Sequence, residues 1–210
     1  MIKIEDICKK ISNNIAQELN FDEDKKAVIN YGISSFIQMG ICIGLVIIFG
    51  VIFNVVFEAL IISFTISILR KSSGGVHATS PERCAIIGTI NSVGLALISK
   101  YINASFSLVI LVGSIAFIWS YYIVYKLAPV DSMAKPIKNI EKRNRLKKSS
   151  MIILSVYLII VITEILYFYF MRNSIVLTYS LCIYMGMLWQ VFSLTKYGHS
   201  IMRKLDKFFK

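Results

Sequence analysis

Apolar positions recur along this chain in two rhythms, one short and helical, the other long and nearly continuous. Ile4, Ile7, Cys8, Ile11, Ile15 and Leu19 repeat at three- and four-residue spacing, while Lys3, Glu5, Asp6, Lys9, Lys10 and Glu18 fall mostly elsewhere. That pattern predicts an amphipathic helix, too polar to span a bilayer, lying on the membrane surface or packed on its own protein. Asp22 to Lys26 reads as a polar hinge. From Ala27 to Leu69 the chain is almost uncharged. At about 1.5 Å per residue this run is roughly twice the length needed to cross a hydrocarbon core, so it must fold back once. Gly50 to Asn54 is the expected turn. Further apolar runs follow from Cys84 to Ser99, Ala104 to Leu127, Met151 to Met171 and Ser174 to Thr195.

The pattern therefore predicts an all-α, polytopic membrane protein with six transmembrane helices plus an N-terminal amphipathic interfacial helix. One domain covers 1–210: an interfacial helix and hinge over 1–26, a six-span bundle over 27–199 and a basic tail over 200–210. Composition agrees, since 56% of residues are hydrophobic and only 17% charged, which is not the balance of a soluble domain. The net charge of +11 lies between the apolar runs, where lipid headgroups and topology account for it, and no nucleic-acid-binding motif accompanies it. With six spans, all of the 23 Lys and Arg except Lys100 and Arg172 fall on one side. The positive-inside tendency then makes both termini and the loop around residue 77 cytosolic. Four cysteines without paired or metal-like spacing predict neither a disulfide framework nor a metal site. No cofactor is expected, and the N-terminal twenty residues lack the apolar core of a signal peptide.

One stretch departs from the rhythm, Arg70 to Cys84. Gly74 and Gly75 admit backbone conformations closed to other residues and expose bare N–H groups that can line a site. Ser80 followed by Pro81 reads as a helix start, with Ser80 as N-cap and Pro81 at the first helical position. Cys84 then falls in about the first turn, where the positive end of the helix dipole and neighbouring Arg83 favour a thiolate. His77 precedes it by seven residues, and a bend between them brings imidazole to sulfur, giving a cysteine nucleophile with a histidine base. A His and a Cys in a polar loop are more often loop residues and nothing else. Cys84 differs from Cys8, Cys42 and Cys182 in having a cation, a helix start and a histidine beside it, whereas the others lie in apolar surroundings where cysteine is usually inert. Asn91, two turns beyond Cys84 on one helix face, extends the candidate site inward. Oxyanion donors are sought among the backbone N–H groups at the start of the third span and around Gly74-Gly75. Glu58 and Glu164 read as interfacial or helix-packing groups. Gln38, Asn54 and Gln190 read as polar contacts of the same kind, and Lys138 to Lys148 as a lipid-facing basic loop.

The pattern Arg70-x3-Gly74-Gly75-x-His77-Ala78 followed by Cys84, between two apolar runs, resembles the accessory gene regulator B (AgrB) membrane peptidases of Gram-positive bacteria. The likeness extends to Ala128-Pro129-Val130-Asp131 and Lys135-Pro136-Ile137, to the length and to the amphipathic N-terminus. It implies that His77 and Cys84 are the catalytic pair of a cysteine endopeptidase in the bacterial cell membrane. The implied substrate is a short AgrD-type pro-peptide, and the implied assembly a homodimer. Cys84 would attack a carbonyl near the precursor's C-terminal side, expel an acidic tail and form an acyl-enzyme thioester. The precursor's own Cys or Ser would then close a thiolactone or lactone. Arg70 orients the loop, meets the acidic tail or anchors the second span. Gly40 and Gly44 form a small-residue seam on the first span. Two other classes fit the same bundle, a small transporter or exporter of a peptide and a non-catalytic scaffold; no internal repeat supports the former.

Overall fold

The computed structural model describes residues 4–19, 21–76, 78–102, 104–131, 137 and 139–208. Of the residues singled out above, Lys3, His77, Lys135, Pro136 and Lys138 lie outside the described residues. The described chain consists of helices: α1 (Ile4–Glu18), α2 (Glu23–Ile52), α3 (Val56–Ser73), α4 (Pro81–Tyr101), α5 (Phe106–Leu127), α6 (Ile140–Met171), α7 (Ile175–Ser193) and α8 (Lys196–Phe208). Five of them, α2, α4, α5, α6 and α7, are long and apolar enough to cross a membrane. The helix expected as the second span, α3, is 18 residues long and carries Glu58, Arg70 and Lys71 within that length.

The chain forms two compact units, residues 1–44 and 45–210. In the first, Cys8, Ser12 and Ala16 are buried among the described side chains of α1, whereas Ile7, Ile11 and the following Leu19 are exposed. The buried stripe is thus made of small side chains and is rotated from the one the large apolar residues suggest. Near the start of α2 the Asp22 carboxylate accepts from the backbone N–H of Lys25 at 2.8 Å, which ties down a helix-end donor.

In the second unit the expected reversal is present. Asn54 takes a positive φ of 56°, and the N–H of Val55 donates to the carbonyl of Gly50 at 2.8 Å, turning α2 into α3. Helix α7 is the centre of this unit and packs on α3, α4, α5, α6 and α8. Its Leu177, Leu181, Tyr184, Met187, Gln190 and Val191 are fully or almost fully buried. Tyr184 stands edge-on to Phe117 of α5 at 5.9 Å between centroids, a favoured aromatic geometry. Leu154, Tyr157 and Val161 bring α6 into the same core, and Tyr157 donates its hydroxyl to the Thr65 carbonyl of α3 at 2.9 Å.

Two expectations are corrected. The basic run read as a loop is helical from Ile140 onward and continuous with the apolar span of α6. Glu, Lys, Arg and Leu are good helix formers, Asn139 caps the start by accepting from the N–H groups of Glu141 and Lys142, and no Gly or Pro interrupts the run. The basic tail is likewise a helix, α8, with Gly198, Met202 and Asp206 buried at four-residue spacing. Charge alone made both segments resemble solvated loops.

Replacing Tyr157 by Phe removes the α6 to α3 hydrogen bond without changing shape. It is expected to lower stability by about 1 kcal/mol, measured by denaturant unfolding in mixed micelles; an unchanged midpoint would show the bond to be immaterial.

Candidate active site

The last turn of α3 meets α7, α6 and the segment after α5. Arg70, half-buried, donates from Nε to Gln190 Oε1 at 3.1 Å. The same amide donates from Nε2 to Ser73 Oγ at 3.0 Å and to the Gly74 carbonyl at 2.8 Å. Gln190 is 0% exposed, so all its hydrogen bonding must be found inside the protein, and the end of α3 supplies it. Ser72 Oγ lies 2.9 Å from Ser149 Oγ of α6. The Ser73 carbonyl accepts from the Val130 N–H at 2.9 Å, and Gly74 and Val130 form an isolated parallel bridge. That contact joins the two motifs noted in the sequence. On its other side, Arg143 of α6 reaches the Pro129 carbonyl at 3.4 Å and Asp131 at 4.0 Å.

The need for two glycines is steric as well as conformational. Gly74 has φ 71° and Gly75 φ 126°, both in the region that L side chains avoid. A Cβ on Gly74 would stand 2.1 Å from the Val130 carbonyl oxygen, and one on Gly75 would stand 3.0 Å from Ser193 Oγ and 3.4 Å from Gln190 Nε2. The turn out of α3 is therefore pressed between the Pro129-Val130 segment and α7.

Helix α4 begins as expected. Ser80 is its extended N-cap, accepting on Oγ from the Arg83 N–H at 3.3 Å, and Pro81 occupies the first turn. The Cys84 N–H donates to the Ser80 carbonyl at 3.1 Å. The N–H groups of Arg83 and Cys84 are thus engaged in capping, which removes them from the expected oxyanion donors. Gly75 N–H takes part in no hydrogen bond among the described residues and stays a candidate.

The electrostatics differ from the expectation at Arg83. Its guanidinium donates to Thr79 Oγ1 at 2.8 Å and to Asp206 Oδ1 of α8 at 3.4 Å, so its charge faces a carboxylate. Asp206 also accepts from the Thr79 N–H at 3.1 Å and the Thr79 hydroxyl at 2.8 Å. Arg70 lies within electrostatic range of Cys84. Cys84 is half-buried, and none of Cys8, Cys42, Cys84 and Cys182 forms a disulfide. Asn91, on the same helix about 10 Å further along, has a buried Nδ2 with no hydrogen-bond partner among the described residues. Glu164 accepts from Ser180 Oγ at 2.6 Å, the helix-packing role expected of it, while Glu58 is buried in the first turn of α3, at the opposite end of that helix from Arg70.

Of the predicted site residues, the fold brings Arg70, Gly74, Gly75, Ser80 and Cys84 to one end of the second unit; His77 lies outside the described residues. Gln190, Thr79 and Asp206 were not foreseen as parts of this site. The available signals were a glutamine deep inside an apolar run and the single acid in a basic tail.

Comparison with known proteins bears on this arrangement. The family model described as Accessory gene regulator B matches residues 8–194. Two proteins of Clostridium perfringens named as AgrB-like, one from strain SM101 / Type A and one from strain 13 / Type A, are each 40% identical to this chain over 208 residues, covering 98% of it and 97% of the relative. No solved structure matches.

Gln190→Leu keeps bulk but leaves Arg70, Ser73 and Gly74 without their partner. Alkylation of Cys84 by iodoacetamide at neutral pH is expected to slow on the order of tenfold, the scale of one hydrogen bond to a charged group; an unaltered rate would separate Gln190 from the site. A second expectation concerns pH. The Thr79 hydroxyl, then its N–H and the Arg83 guanidinium, hold the Asp206 carboxyl below its usual range. Because the lowered value belongs to the folded state, the stabilisation is complete above the ordinary carboxylate value of about 4 and is lost only as pH falls through the lowered one. Carbon NMR of the Asp206 carboxyl should give a midpoint below about 4 that rises in Thr79→Val; a midpoint at or above that value in the parent protein would contradict the bonding described.

Proposed function

This chain belongs to the accessory gene regulator B family, and from that premise we propose that it is a membrane cysteine endopeptidase that processes an autoinducer pro-peptide. Cys84 is the nucleophile, His77 its acid and base, and the substrate a short AgrD-type precursor. The bundle crosses the membrane six times, with α3 as the sixth crossing beside the five long apolar helices, and α1 lies at the interface. Both termini and the catalytic loop face the cytosol, and the enzyme works as a homodimer.

The observation that carries this reading is the surroundings of Cys84. The sulfur sits in the first turn of α4, a helix capped by Ser80, and the chain leading to it leaves α3 through a double-glycine turn held by Gln190. In the proposed reaction His77 takes the thiol proton as Sγ attacks the carbonyl, and returns it to the amine of the departing C-terminal tail. The acyl group is then a thioester on Cys84. A Cys or Ser of the precursor attacks that thioester, closes a thiolactone or lactone and regenerates the thiol. Exchange of one thioester for another is nearly balanced, so keeping water out decides ring closure over hydrolysis. Gly75 N–H is the proposed donor to the oxyanion, and the unpartnered Asn91 Nδ2 the donor to a substrate carbonyl deeper in the bundle. Ser80 holds the start of α4 and so the direction of the sulfur.

The test is reconstitution in lipid with a candidate precursor, followed by mass spectrometry. The parent protein should release the tail and carry a hydroxylamine-labile adduct on Cys84. Cys84→Ala should abolish both, and His77→Ala should slow acylation by about two orders of magnitude or more. Tail release by the Cys84→Ala protein would overturn the mechanism, as would transport of an uncleaved peptide by the parent.

A further inference from the structure

We propose that α8 is a lipid-reading helix: its outer face binds an anionic membrane surface, and through Asp206 this binding steadies the segment that leads into Cys84. Only two residues, Leu194 and Thr195, separate α7 from α8. Thr195 caps the turn between them, accepting on Oγ1 from the Gly198 N–H at 3.1 Å. A Cβ on Gly198 would stand 2.1 Å from the Phe192 carbonyl oxygen, so the first turn of α8 is pressed against the end of α7. Because α7 is long and apolar enough to span, this contact fixes α8 at the level where the apolar layer stops.

At about 100° per residue the helix divides into three sectors roughly 120° apart. One holds the buried Gly198, Met202 and Asp206. A second holds Tyr197, Ile201 and Phe208, exposed at 80%, 43% and 83%. A third holds Lys196, Arg203 and Lys207, with Lys204 between the second and third, all exposed. His199 adds no positive charge near neutrality, because burial and then Arg203 hold its imidazole below its usual value. An apolar sector beside a cationic one is the arrangement that sits at the boundary of acyl chains and headgroups, with the long basic side chains reaching phosphate. Each cation near an anionic surface adds to the attraction. The ligand that fits both sectors is an anionic lipid surface; an acidic peptide would use the cations and leave the two most exposed aromatic residues, Tyr197 and Phe208, in water.

What makes this more than an anchor is the buried sector. Asp206 grips the Thr79 backbone, the Thr79 hydroxyl and Arg83, which bracket Ser80 at the head of the helix that carries Cys84. Asp206 is a positioning residue, and any force that holds α8 against the membrane is passed to this segment.

Hydrogen exchange on the full-length protein in nanodiscs tests the idea without substrate, so it stands or falls separately from the peptidase reading. In discs of phosphatidylcholine with about 30% phosphatidylglycerol, amides of 199–208 should exchange about tenfold more slowly than in phosphatidylcholine alone, and those of 78–84 should follow. Neutralising Arg203, Lys204 and Lys207 to Gln should erase the lipid dependence of both segments. Asp206→Asn should leave the slowing in α8 and remove it from 78–84. Equal exchange of α8 in the two lipids would overturn the proposal, as would protection by soluble polyglutamate equal to that of the anionic lipid. A lipid effect on α8 that never reaches 78–84 in the parent protein would overturn the coupling.

Discussion

A single primary amide, that of Gln190, ties the end of α3 to the middle of the bundle. It accepts from Arg70 and donates to Ser73 and to the Gly74 carbonyl, and the amide itself is fully buried. In such surroundings each bond adds about 1 kcal/mol net, yet leaving a partner unsatisfied costs more than making the bond gains. The amide therefore acts less as glue than as a constraint on geometry. A carboxylate could accept from Arg70 but could not donate to Gly74; an ammonium could do the reverse. A primary amide does both and has a second N–H for Ser73, and the direction in which the chain leaves α3 follows from it.

The same segment is held at its far end by a different chemistry. Thr79 and Arg83 are gripped by Asp206, an exposed-helix carboxylate turned inward, and Ser80 and Pro81 start α4 beside them. Between the amide on one side and the carboxylate on the other runs the stretch from Arg70 to Cys84. Its two glycines are squeezed against Val130 and Ser193, which is why a second motif distant in sequence, Ala128 to Asp131, belongs with the first. A sulfur carried on the first turn of a firmly capped helix has a well-defined direction, and the nearby guanidinium of Arg70 is held by an amide. These are the conditions under which a short reactive constellation can be kept ready at the end of a membrane bundle.

Arrangement of charge illustrates how tertiary contacts reassign roles. Arg83 is next to Cys84 in the chain, but its guanidinium is turned to Asp206; Arg70 is fourteen positions away, yet it lies within electrostatic range of the sulfur. Likewise the basic residues before the span of α6 are not a loop, and Arg143 among them contacts Pro129 and Asp131. Adjacency in sequence is a poor guide to electrostatics, because a long cationic side chain goes to whatever carboxylate or carbonyl the fold presents.

The order of residues by itself determined what local physics controls. Long apolar runs have to be helices in lipid, since only a helix satisfies its own backbone there. The reversal near Asn54, the cap at Ser80-Pro81 and a flexible turn at Gly74-Gly75 follow from short-range sterics and capping, and the distinct standing of Cys84 among four cysteines from its neighbours in sequence. Tertiary structure alone decided that Gln190 and Asp206, 106 and 122 positions beyond Cys84, close upon the same segment. Hydrogen bonds between distant helices depend on which faces the packing brings together, and no periodicity within either helix encodes the identity of its neighbour.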